Sequence, residues 1–97
     1  MIRLWGVLRS QQRIIAQQTV QAVSPAQADV REAVREICRN FNIAAPMWME
    51  KHDADMANFG RAVFLPEHFI EDVRFERFEI EILREKGRSR DPRNDFS

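Results

Sequence analysis

Five residues in the second half of the chain carry side chains suited to chemistry: His52, Asp53, Asp55, His68 and Glu71. Two imidazoles and a carboxylate form a ligand set for a divalent transition metal, and the metal reading takes His52, His68 and Glu71. Their spacing matches no metal signature. There is no H-E-x-x-H, no His pair at i,i+4, and no Asp-rich loop closing on a bidentate Glu. Asp53 also suits a helix N-cap, which competes with ligation. His68 lies in FLPEHFIED, Phe64 to Asp72. Read as helix, this stretch sets Glu71 at i+3 and Asp72 at i+4 from His68, and both carboxylates favour imidazolium. A catalytic reading uses His68 as general base with Glu71 orienting it. No nucleophile accompanies it: G-x-S-x-G is absent, and Cys38 falls on the apolar stripe of a helix. Phe69 and Ile70 are expected to face the core and turn His68 and Glu71 outward. The expectation is a structural turn, with no catalytic residue and no cofactor.

Those residues must be held by a small body. Ninety-seven residues fit one domain with one modest core. A hydrophobic content of 44% is ordinary for a globular chain and excludes disorder by composition. No apolar run reaches the roughly 18 residues of a membrane span. The start, MIRLWGVLRSQQR, has a short apolar run and no small-residue cleavage site after it. A signal peptide is not expected, and the location is read as cytoplasmic. The single Cys38 cannot form an internal disulfide and has no second thiol for a zinc pair.

Net charge is zero, with 15 basic and 15 acidic residues, so no global field draws nucleic acid or a membrane surface. The distribution is uneven. Residues 1–46 hold six Arg against three acids (+3), residues 47–83 four basic against nine acidic residues (−5), and residues 84–97 five against three (+2).

IRLWGVLRS alternates, with Ile2, Leu4, Gly6 and Leu8 on one face and Arg3, Trp5, Val7 and Arg9 on the other, which is a strand. Gly6 marks a bulge or a close packing neighbour. Gln12–Val23 reads as a second strand, joined to the first by a hairpin at Ser10–Arg13 without the usual Asn-Gly. A helix follows, with Ser24 as N-cap, Pro25 at N1 and Gln27 completing a capping box. Val30, Ala33, Val34, Ile37, Cys38 and Phe41 make its apolar stripe. Glu32–Arg35 and Glu36–Arg39 can pair along its exposed side. Met47–Lys51 reads as a short strand, and Asp53–Gly60 as a short helix with Met56 and Phe59 inward and Gly60 as its stop. Ala62–Leu65 is extended up to Pro66, and one helical turn follows it. Val73–Glu85 reads as the last strand, with Phe78, Ile80 and Ile82 on one face and Glu79 and Glu81 on the other. Val73 and Phe75 break its parity.

The fold class is therefore α+β: a small antiparallel or mixed sheet of three to four strands, with one long amphipathic helix at about 25–41 across one face. One domain spans 1–85, and a polar C-terminal tail, expected to be disordered, spans 86–97.

Two surfaces could bind macromolecules. Arg3, Trp5 and Arg9 put an aromatic and two arginines on one strand face, residue types enriched at interfaces, and Glu79 and Glu81 offer an acidic complement. The alternative is nucleic-acid binding by the hairpin with Arg84, Lys86, Arg88, Arg90 and Arg93, and with Trp5 stacking a base. Thirteen of the 15 basic residues are Arg, which suits phosphate. Against it stand the zero net charge, Asp91 and Asp95 in the tail, and the lack of any RNP1-like or KH-like motif.

The opening IRLWGVL, the PMWMEKH segment and FLPEHFIEDVRFERFEIEIL resemble a group of short clostridial and related bacterial proteins with no assigned function. That resemblance covers about two thirds of the chain and implies a compact bacterial cytoplasmic protein. It carries over no site residue. The sequence reading is thus a non-enzymatic module acting through a protein partner or a second copy of itself. Nucleic-acid binding and a metal-dependent enzyme are the alternatives.

Overall fold

The computed structural model describes residues 1–83. The expected tail at 86–97 and the basic set Arg84, Lys86, Arg88, Arg90 and Arg93 lie outside the described residues.

In chain order the elements are β1 (Ile2–Ser10), β2 (Arg13–Ala22), α1 (Gln27–Phe41), α2 (Glu50–Phe59), β3 (Arg61–Phe64), a single 3₁₀ turn (Pro66–His68) and β4 (Arg77–Leu83). The strands form one sheet in the order β2-β1-β4-β3, with every neighbouring pair antiparallel. The α+β class holds. The helix expected at about 25–41 is shorter than that, the 15 residues Gln27–Phe41, and the short helix expected at Asp53–Gly60 spans the 10 residues Glu50–Phe59.

The β1–β2 hairpin turns on Gln11 and Gln12, both at positive φ (54° and 66°). This is the backbone that hairpin twist requires, and in most sequences Asn and Gly supply it. Beyond the turn, Leu8 pairs with Ala16 and Arg9 with Ile14, so Ile15 is the extra residue of a bulge. Gly6 is the close packing neighbour. A methyl group there would meet Ile37 Cγ2 at 2.8 Å and the Phe78 ring at 3.3 Å. The missing side chain lets α1 approach the middle of the sheet.

Helix α1 buries Val30, Ala33, Val34, Ile37 and Cys38, the stripe read from its periodicity. Its start differs from expectation. Ser24 Oγ accepts the Ala26 N–H at 3.1 Å and donates to Asp29 Oδ2 at 2.7 Å. The hydroxyl closes a local turn two residues on, so Ala26 takes the N-cap position, the helix begins at Gln27, and no capping box forms with Gln27. Asn42 ends the helix in the left-handed region, where the Asn42 and Ile43 N–H groups donate to the Arg39 and Cys38 carbonyls. Of the two expected ion pairs, Glu32–Arg35 closes at 3.3 Å, and Glu36–Arg39 is not among the pairs within 4 Å in the described residues.

The expected strand at Met47–Lys51 is not in the sheet. Met47 instead donates to the His68 carbonyl at 2.8 Å, and α2 begins at Glu50. Asp53 consequently sits inside α2 and is not its cap; Met49 takes that position. Gly60 does stop the helix, at φ 70°, its N–H reaching the Met56 carbonyl at 3.0 Å. Phe59 was expected inward and is 69% exposed, whereas Met56 packs against the core.

Strand β4 begins at Arg77, four residues later than the parity pattern suggested. Phe78, Ile80 and Ile82 face α1 as expected. Val73 and Phe75 reach the core from an irregular segment, which accounts for their opposite parity. Glu76 fastens that segment to the hairpin: its N–H donates to the Arg9 carbonyl, and its carboxylate accepts the Gln11 N–H at 2.9 Å.

Candidate functional site

Two places in the fold depart from what packing alone requires: a buried pair of histidines, and the sheet face away from the helices.

The histidines sit at equivalent points of two short sequences, MEKH (Met49–His52) and LPEH (Leu65–His68). In each, an extended residue precedes a helical turn and the His is its third residue. The Met49 N–H donates to His52 Nδ1 at 2.9 Å, and the Leu65 N–H donates to His68 Nδ1 at 2.9 Å. Each imidazole satisfies one of the orphan donors at a helix start, as a Glu or Gln does at the same position of a capping box. A backbone N–H can only donate, so both Nδ1 atoms are unprotonated and the neutral rings carry their proton on Nε2.

The two rings meet edge to face, with centroids 4.7 Å apart. His52 also stacks on Phe64 at 4.1 Å, and Trp48 packs edge-on against Phe64 at 5.0 Å. Arg31 from α1 lies over Trp48 and bonds Asp53 at 2.8 Å, tying α2 to α1. His52 is fully buried and His68 is 6% exposed. The His52 Nε2 atom has no hydrogen-bond partner. The Val63 carbonyl is near enough to favour a proton on the ring, but it makes no well-formed bond to Nε2. Burial, the neighbouring His68 and Lys51 together lower the His52 pKa below its ordinary 6.5, outweighing Val63 and Asp55.

This geometry corrects the sequence reading of FLPEHFIED. The turn stops at His68, so Glu71 and Asp72 are not its helical neighbours; both are exposed in the irregular segment that follows. His68 points inward, and of the two residues expected in the core Phe69 is buried while Ile70 is 83% exposed. His52 and His68 do converge, but Glu71 lines a separate cleft with Phe69 and Phe75. Among the described residues no three His, Cys, Asp or Glu side chains gather as a metal site. With each Nδ1 engaged by backbone and His52 Nε2 against Phe64 and Val63, the pair is built as packing. Cys38 is no nucleophile either: burial pushes its thiol up to about 12.

The other face of the sheet has no covering element among the described residues. Strand neighbours place Arg3, Trp5, Val7 and Arg9 of β1 beside Arg77, Glu79 and Glu81 of β4, with Arg61 and Val63 of β3 at one side. All five residues of the expected interface, Arg3, Trp5, Arg9, Glu79 and Glu81, therefore share one surface. Trp5 is half-buried on that face, and its indole N–H donates to Gln17 Oε1 at 2.9 Å. Glu79 accepts from Arg9 at 2.9 Å and from Arg77 at 3.2 Å. The bonds Trp5–Gln17 and Arg9–Glu79 run diagonally on either side of Val7, which is fully buried on this face. A shallow depression of about 350 Å³ lies beside Trp5, between Arg61, Val63, Arg77, Glu79 and Glu81.

No family model matches the chain, and no curated protein or solved structure matches it. Among the described residues no helix is long and apolar enough to cross a membrane.

Proposed function

We propose that the protein is a non-enzymatic interaction module whose open sheet face seats a second copy of the same chain. The observation that carries this reading is the placement of Arg3, Trp5, Arg9, Glu79 and Glu81 on adjacent central strands of a face that no other described element covers. The face is self-complementary in charge. A two-fold axis parallel to the strands, running between β1 and β4, lays β1 of each copy over β4 of the other. By the β1–β4 register Trp5 and Val7 of one copy then lie over Glu81 and Glu79 of its partner, Arg9 lies over Arg77 with Glu79 one diagonal step away, and each Trp5 enters the depression beside the partner's acidic row. Four strands at about 4.8 Å spacing and nine residues at about 3.4 Å give a face of roughly 20 by 30 Å. That footprint approaches the ~800 Å² per partner of a standard interface.

A nucleic acid would find Trp5 and the arginines on the same platform. Glu79 and Glu81, however, stand in the middle of it, where phosphates would run, and they favour a protein occupant.

Trp5→Ala removes the aromatic anchor and leaves the packed face of the sheet untouched. It is expected to weaken dimerisation by at least ~30-fold, the loss typical of a buried aromatic hot spot. Equal dimer dissociation constants for Trp5→Ala and the parent chain, by sedimentation equilibrium, would remove this face as the interface.

A further inference from the structure

Helix α2 is held to the rest of the molecule by an unusual anchor. Its only buried residue is His52, and the only buried residue of the Pro66–His68 turn is His68. These two short elements, whose histidines are 16 residues apart in sequence, meet through their imidazoles. The Met47 N–H to His68 carbonyl bond joins the same two segments. Everything that docks α2 through its own side chains thus passes through a titratable ring, the part-buried Arg31–Asp53 pair and the half-buried Met56 apart.

We propose that the His52–His68 contact is an acid-released latch: one proton on His52 detaches α2 and the Pro66–His68 turn from the sheet while the β1–β2–β4 core stays folded. The proton comes from solvent and must land on Nδ1, because Nε2 already carries one. The Nδ1 lone pair now accepts the Met49 N–H, so protonation sets two N–H groups against each other and removes the cap of α2. It also places a positive ring face to face with Phe64 in a dry site and edge-on to His68. The charged groups around His52 do not rescue the cation. From its own helix Lys51 opposes it, and Asp55, which favours it, is outweighed. From α1, Arg31 is a second cation, already committed to Asp53. From β3 comes only the Val63 carbonyl, and from the 3₁₀ turn only His68, with Glu67 exposed to solvent.

The sign follows from the two states. The closed state holds His52 neutral, with its pKa lowered, and the open state exposes it at its ordinary 6.5. The latch is therefore fully closed above pH 6.5, and its opening constant rises as pH falls through that value, up to about tenfold per pH unit. The released elements uncover Phe64, fully buried in the closed state, and the covered part of the half-buried Trp48.

Amide hydrogen exchange on the full chain between pH 7.5 and 5.5, corrected for intrinsic rates, tests this. The amides of Met49–Asp53 and Leu65–Phe69 should show opening constants that rise by up to about tenfold between pH 7.5 and 5.5, most of it below pH 6.5, and that stay well above those of β1 and β4 at every pH. His52→Gln keeps an acceptor for the Met49 N–H but cannot titrate, and it should flatten the dependence. Should that variant fail to fold, the imidazole nitrogen shifts of the parent chain decide: they must report His52 with Nδ1 unprotonated at pH 7.5. An Nδ1–H tautomer, pH-independent opening, or opening constants in β1 and β4 equal to those of α2 would each overturn the latch.

Discussion

The two faces of this sheet are made from alternate residues of the same strands, yet they are held by different physics. On the inner face Leu4, Leu8, Phe78, Ile80 and Phe64 are shut away from water beneath α1 and α2. On the outer face Trp5, Arg9, Arg77 and Glu79 are partly open and connect through hydrogen bonds and ion pairs. The inner face has one way to pack, since even a methyl on Gly6 collides with Ile37. The outer face is a lattice of exchangeable bonds that leaves its rows of charge presented to solvent. A surface spent on stability looks like the first; a surface kept available for a partner looks like the second.

That contrast breaks if substitutions on the two faces cost alike. Phe78→Ala removes a fully buried ring between Phe41, Phe64 and Phe69 and should cost about 3–5 kcal/mol in chemical denaturation. Gly6→Ala should cost about 1–3 kcal/mol, because Ile37 is β-branched, fully buried and cannot move aside freely. Acid probes the same face through its one fully buried ionisable ring. Stability should fall below pH 6.5 by up to ~1.4 kcal/mol per pH unit as the unfolded chain takes up the proton that His52 refuses. Flat stability from pH 7.5 to 5.5 would show that His52 is not held neutral. In the hairpin that both faces share, Gln11→Asn with Gln12→Gly relieves two left-handed glutamines and should add about 0.5–1 kcal/mol. On the outer face, Arg9→Ala breaks a part-exposed ion pair and should cost under ~1 kcal/mol in the isolated chain. A loss as large as that of Phe78→Ala would mean that the outer face is structural after all.

Periodicity made the inner face readable from the sequence. The α1 stripe, the even residues of β1, and Phe78, Ile80 and Ile82 follow from 3.6- and 2-residue repeats, and the structure joins them in one core. The same alternation put Arg3, Trp5 and Arg9 on one face of β1. That Glu79 and Glu81 lie beside them depended on β1 and β4 being neighbours, and pairwise strand order leaves no mark in composition. The histidine cluster was misread for a more local reason. Ser24 and Asp53 look like caps because hydroxyls and carboxylates commonly serve so, but Ser24 closes a turn with Ala26 and Asp53 bonds Arg31. Imidazoles cap the two later turns instead. One signal was present: His closes both MEKH and LPEH three residues after an extended residue, and Pro66 opens the second turn. Equal spacing at two helix starts points to capping, whereas ligation or catalysis would need a third group that neither segment supplies.

The claim that the open face seats a second copy meets its most direct test in molar mass. Light scattering on the full chain at rising concentration, in low and high salt, should show growth from the 11.5 kDa chain to twice that mass, with the dimer weakened by salt because its charge rows are exposed. A mass that stays at one chain across the whole range, in both buffers, would contradict the account.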